Sequence, residues 1–158
     1  MRVRAAARLR KIITSDTRWK RDDVQRRYCP INSRTKPIRA GWEWRSLKAA
    51  SDDGRKFIAY LEANVRKGDF KSVLIEETVN GPSVIARYEY HSSHPGIHVH
   101  AHCERSGIEI GASGMDKLER APRVKERHRR ISALSLSTFL AAASRFYGME
   151  YDTGPLFS

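Results

Sequence analysis

The chain has 158 residues, 40% of them hydrophobic, enough for one domain to bury a core without disulfide or metal staples. Its two cysteines, Cys29 and Cys103, lie far apart, which excludes a disulfide scaffold and a four-cysteine zinc module; no apolar run approaches the roughly 18 residues of a membrane span. Thirty Lys and Arg against 18 Asp and Glu leave a formal net charge of +12, a field that draws polyanions. Nucleic acid is the partner this charge favours, with an anionic membrane surface as competitor and plain solubility as the bland alternative. The sparse cysteines fit a reducing, cytoplasmic setting.

Residues 1–158 read as a single domain in four stretches: 1–45, a basic N-terminal helix and irregular segment; 46–112, a helix and sheet; 113–130, a basic loop; 131–158, a C-terminal helix and tail. Residues 2–14 have the spacing of a short basic amphipathic helix, although their Arg-rich, acid-free composition is also that of an organelle transit peptide. Residues 15–45 are punctuated by Asp, Asn, Pro and Gly and predict irregular structure. There Trp19, Tyr28, Trp42 and Trp44 alternate with Arg18, Lys20, Arg21, Arg26 and Arg27, a pattern that stacks bases and holds phosphates. The competing reading puts the tryptophans at a core edge and the cations in water.

Residues 53–67 predict a helix, capped by Asp52 or Asp53, with Phe57, Ile58, Leu61 and Val65 on one face and Gly68 as its stop. The period then changes to two. Strands are expected at 72–79, 83–91, 97–104 and 108–112, the first two joined by Asn80-Gly81, whose residues both tolerate positive φ. Residues 113–130 predict an exposed cationic loop carrying Lys117, Arg120, Arg123, Lys125, Arg127, Arg129 and Arg130. A final helix spans 136–147, capped by Ser135 or Ser137 and ended by Gly148. The expected class is α+β: a three- to four-stranded antiparallel meander over about 72–112, covered by helices 53–67 and 136–147, with a basic N-terminal helix.

Five of the six histidines fall between positions 91 and 102: His91, His94, His98, His100 and His102. Strand alternation puts His98, His100, His102 and Glu104 on one face and Ile97, Val99, Ala101 and Cys103 on the other. The neighbouring strand divides in the same way, into Val84, Ala86, Tyr88 and Tyr90 against Ile85, Arg87, Glu89 and His91. If the apolar sets share the core face, Arg87, Glu89 and the histidines share the opposite one, as an open shallow groove rimmed by the basic segments 18–45 and 117–130.

Three uses of that face compete. In acid–base cleavage of RNA, one histidine takes a proton from a 2′-hydroxyl, another gives one to the leaving 5′-oxygen, and Arg87 steadies the phosphorane while Glu89 orients an imidazole. In a metal site, His98 and His100, about 6.6 Å apart along the strand, would hold one divalent ion, Zn, Mn or Mg. In the third, the histidines are only solvated.

His98-Val99-His100 resembles the core motif of the HUH endonucleases, which set a His-hydrophobic-His strand against a catalytic tyrosine and cut single-stranded DNA with a metal ion. Across these three residues the resemblance implies a metal at His98 and His100 and Tyr147 as the tyrosine. In replication-initiator members a lysine follows that tyrosine, whereas Gly148, Met149 and Glu150 follow Tyr147. The layout of helices on an antiparallel sheet is also similar to that of small ribonuclease toxins, which implies an acidic inhibitor protein as a partner. The expected function is a nuclease, for RNA before DNA, with His91, His98, His100, His102, Arg87 and Glu89 catalytic. A non-catalytic nucleic-acid binder and a histidine-rich metal-binding module are the alternatives.

Overall fold

A computed structural model describes residues 6, 9–91, 94–103, 108–110 and 135–154, with the backbone alone for 94–103 and 108–110. Strands β1 (Lys11–Asp16), β2 (Glu43–Ser51), β3 (Lys56–Asn64), β4 (Asp69–Thr78), β5 (Gly81–His91), β6 (His94–Cys103), β7 (Ile108–Ile110) and β8 (Met149–Tyr151) form one sheet, and helix α1 (Leu136–Phe146) precedes β8. The sheet has eight strands in the order β7-β6-β5-β4-β3-β2-β1-β8. Pairs from β1 to β7 are antiparallel, and β8 joins β1 in parallel through Lys11↔Met149 and Ile13↔Tyr151.

The α+β expectation is therefore corrected to a sheet-dominated fold in which α1, of 11 residues, is the one α-helix whose bounds the described residues give, beside a single 3-10 turn at Arg26–Tyr28. The predicted helix at 53–67 is strand β3 with the turn after it. Phe57-Ile58-Ala59-Tyr60-Leu61 is buried throughout, because β3 lies inside the sheet with both faces covered. Such a strand reads as an unbroken apolar run, and its residues also satisfy a helical stripe. Residues 11–14 of the predicted N-terminal helix belong to β1. The expected strands and last helix match β4 to β7 and α1 closely.

Two cores lie on the two sides of the sheet. On the first, α1 lays Phe139, Ala143 and Phe146 against Phe57, Leu61, Phe70, Leu74, Ala86 and Tyr88. These are one stripe of an amphipathic helix, spaced four and three residues apart. Ser135 caps α1 by accepting from the Thr138 N–H, while the Thr138 hydroxyl accepts from the Ser135 N–H, so two backbone donors at the helix start are satisfied. On the second side, Val24, Cys29 and Trp44 pack with Ile58, Tyr60, Val73, Ile75 and Val84.

Of the segment expected to be irregular, 15–16 belong to β1 and 43–45 to β2; the chain between them covers the second face, except Trp19, which packs on the first core. Its backbone is paired where it is buried, through the bridges Lys20↔Trp44 and Val24↔Lys36. Trp44 Nε1–H donates to the Asp22 carbonyl (2.6 Å), and Ser46 Oγ–H to the Tyr28 carbonyl (2.8 Å). Trp42 and Trp44 are buried at 6% and 1% exposure, which corrects the idea that they stack bases; they fill the core.

One alternation is also corrected. The register of β4 and β5 slips between Leu74 and Ile75, so Val84 joins the second core and Ile85 the first, opposite to simple alternation. Beyond the slip, Ala86 and Tyr88 face α1 as expected.

Candidate functional site

The chemistry-bearing residues lie on the second face, where four strands run side by side. One row of paired positions is Glu62↔Lys71↔Glu89↔His98, and the next is Tyr60↔Val73↔Arg87↔His100. Over the β3 to β5 part of these rows sits the chain from 29 to 36. Between them is a cavity of about 260 Å³, lined by Cys29, Ile31, Asn32, Lys36, Tyr60, Glu62, Lys71, Ser72, Val73, Arg87 and Glu89. It is partly open to solvent and is small beside the roughly 300–1,000 Å³ of ordinary ligand pockets.

Its floor contains a hydrogen-bonded cluster. The Tyr60 hydroxyl donates to Glu62 Oε1 (2.7 Å), and Lys36 Nζ pairs with the same oxygen. Burial, reinforced by the Glu62 charge, raises the Tyr60 phenol well above its usual range, so it stays a donor at neutral pH. Burial pushes the Cys29 thiol up to about 12, against the pull of Lys36, and this keeps it an unreactive thiol. At the β6 side, His91 Nε2 lies 3.2 Å from Glu89 Oε2, with both side chains mostly buried.

Two cations of the cavity have no carboxylate partner among the described residues. Arg87 is half-buried and makes no ion pair with a described residue. Lys71 has its ammonium 5.4 Å from the centre of the Trp42 ring, a cation–π contact, and likewise no ion pair. Asn32 also lines the cavity, and its Nδ2 is buried without a hydrogen-bond partner among the described residues.

The structure brings together three of the sequence-predicted residues, Arg87, Glu89 and His91, on one strand. Pairing sets His98 opposite Glu89 and His100 opposite Arg87, while His102 pairs with Glu109 of β7 and His94 with His91. The side chains of His98, His100 and His102 lie outside the described residues. So does the whole predicted loop 113–130, with Lys117, Arg120, Arg123, Lys125, Arg127, Arg129 and Arg130. Of the earlier basic set, Arg18, Arg21, Arg26 and Arg27 are exposed and Lys20 is half-buried. Arg21 is held by Glu43 (2.9 Å), and Arg27 stacks on Tyr28 (4.8 Å).

Tyr147 does not stand in this site. It is fully buried on the α1 side, hydroxyl to hydroxyl with Ser72 at 2.7 Å, so it is closed to the role that the HUH motif implies. No group of three or more metal-ligating side chains occurs among the described residues.

Sequence reading misses Asn32, Tyr60, Glu62 and Lys71, and has Lys36 only as one of the phosphate-holding cations of the 15–45 segment. Asp53-Gly54 is the signal that exposes part of this set: a tight turn there, with Gly54 at φ +80°, makes 56–64 a returning strand and places Tyr60 and Glu62 on one face. No protein-family model, curated protein or solved structure matches the chain.

Proposed function

We propose that the chain is a nucleic-acid-binding nuclease that cleaves RNA by general acid–base chemistry at the β5–β6 face. The observation that carries the reading is the register: His98 opposite Glu89 and His100 opposite Arg87, beside a cavity whose arginine has no carboxylate partner among the described residues. An imidazole titrates near neutrality, so one histidine takes the 2′-hydroxyl proton as that oxygen attacks phosphorus, and another returns a proton to the departing 5′-oxygen. Arg87 stabilises the charge gathering on the phosphoryl oxygens. Glu89, 3.2 Å from His91, orients that ring. His91, His98, His100 and His102 are the proton-transfer set, and exposed Arg18, Arg21, Arg26 and Arg27 support binding of the strand away from the cavity. A cytoplasmic setting and an acidic inhibitor protein go with this reading.

Labelled RNA and single-stranded DNA, each incubated with the protein with and without chelator, test it. Chelator-resistant RNA cutting that falls at least a hundredfold in His100→Ala, with unchanged circular dichroism, is the expected result. Cutting that needs a divalent metal moves His98 and His100 to ligand roles. Binding without cutting of either polymer overturns the nuclease reading and leaves a nucleic-acid-binding protein, for which the exposed arginines suffice.

A further inference from the structure

Lys71 is flanked across the sheet by two carboxylates and pairs with neither. It lies opposite Glu62 on β3 and Glu89 on β5, yet its ammonium rests on the Trp42 ring and makes no ion pair with a described residue. Glu62 is engaged through one oxygen only. Its Oε1 accepts from the Tyr60 hydroxyl and pairs with Lys36 Nζ, while its Oε2 has no partner among the described residues. That second oxygen reaches water. Glu62 is half-buried, and Asn32 Nδ2 is the one nitrogen or oxygen of the described buried and half-buried side chains that is both sealed from water and unpartnered. Oε2 therefore keeps its lone pairs open, on a carboxylate that two donors already hold in place. Glu62 and Lys71 both line the cavity over β3 to β5, and Arg87 lines it from β5.

We infer that this cavity reads a guanine base, the one on the 5′ side of the bond that is cut. An ionised carboxylate accepts and cannot donate, so it selects a base edge that carries donors side by side. Among the four RNA bases guanine has that edge, in N1–H and the adjacent N2 amine. Adenine and cytosine set a ring nitrogen with a lone pair beside their amine, and the N3–H of uracil lies between two carbonyls. Each of these brings a lone pair against the carboxylate. Lys71, one strand over, complements the O6 carbonyl on the other side of N1. Size and reach agree with this. At about 260 Å³ the space falls below ordinary ligand pockets and is on the scale of a single base, with Ile31 and Val73 as apolar wall for its faces. Glu62 and Arg87 stand two strands and one row apart, about 12 Å between backbones, and both side chains line the space between. A nucleotide with its base edge at Glu62 can thus set its 3′-phosphate at Arg87. The inference rests on the nuclease reading, in which Arg87 holds the scissile phosphate, and adds the base that places that phosphate.

Fluorescence anisotropy with His100→Ala protein, which spares the probe from cutting, tests it on labelled hexauridylate and on the same strand with one central guanosine, adenosine or cytidine. The guanosine strand should bind about tenfold more tightly than the other three. Glu62→Gln, added to His100→Ala, should reduce that preference to threefold or less and leave hexauridylate binding unchanged, with a thermal melt to check the fold. Inosine in place of guanosine removes the N2 amine without altering the protein and should cost about threefold, so the test survives a variant that does not fold. The unsubstituted protein should cut a mixed-sequence RNA after guanosine. Equal binding of the four strands, or preference for another base, overturns the inference. Cutting after all four bases sinks the base pocket alone, guanine preference without cutting sinks the nuclease alone, and no binding of any strand sinks both.

Discussion

Two arginines on neighbouring parts of one sheet live opposite lives. Arg45 on β2 is 8% exposed at its side chain and forks onto Asp16, Nε to Oδ1 at 2.8 Å and Nη2 to Oδ2 at 2.5 Å. Tyr151 on β8 donates to the same carboxylate (2.6 Å), and the Arg18 N–H adds a fourth bond (2.8 Å). Arg87 on β5 is only half-buried and has no carboxylate partner among the described residues. The first fastens β1, β2 and β8 together. The second leaves its hydrogen-bonding capacity unclaimed by any carboxylate among the described residues. A buried ion pair that is fully bonded is structural, and removing one partner leaves the other charge uncompensated.

Substitutions at the two positions should separate these roles. The largest effect is expected for Arg45→Ala, which strands the Asp16 carboxylate and should remove about 3 kcal/mol of stability, a fall in Tm of about 10 °C for a chain of this size. Arg87→Ala should leave Tm within about 2 °C, since no described partner is orphaned. A comparable drop in both variants would erase the distinction.

Acid should sharpen it next. Burial works against ionisation of Asp16, but the Arg45, Tyr151 and Arg18 hydrogen bonds outweigh it and bring the carboxyl down to about 2. Its unfolded-state value is 3.8, so its contribution, about 2 kcal/mol, is complete above pH 4 and disappears as the pH falls towards 2. Urea melts between pH 5 and pH 2 should show this loss, and Asp16→Asn should show a flatter dependence.

Two smaller effects complete the comparison. Arg87→Ala should weaken binding of a single-stranded RNA oligonucleotide about tenfold, or about 1.4 kcal/mol, in an anisotropy titration. Tyr151→Phe, which removes one hydrogen bond to Asp16, should lower stability by about 1 kcal/mol in a denaturant melt without touching that binding.

Much of this was legible along the chain, for reasons that differ by element. Strands β4 to β6 alternate or are closed by Asn80-Gly81, and α1 shows its stripe and its Ser135 cap, so local signals agree with the fold. β2 and β3 are hidden because burial on both faces removes the period of two. Arg87, Glu89 and His91 stand at alternate positions of one strand, and alternation alone groups them. Asn32 and Lys36 reach the cavity because Val24 and Cys29 sink into the second core and draw their segment across the sheet. That is a tertiary event with no local periodicity to announce it.

The parallel strand β8 has a consequence for how the molecule is made. Lys11 is wholly buried, its ammonium donating to the carbonyls of Ala6 (2.7 Å), Leu9 (2.9 Å) and Tyr147 (2.8 Å), so the start of β1 is knotted to the turn that leads into β8. During synthesis β1 can pair with β2 early, but its outer rim stays bare until residues 149–151 have left the ribosome. Assembly therefore waits on a closure spanning more than a hundred residues, the kind of late step that makes folding slow. A nascent chain of this type spends its youth with an adhesive margin exposed, and chaperone demand should concentrate in that interval.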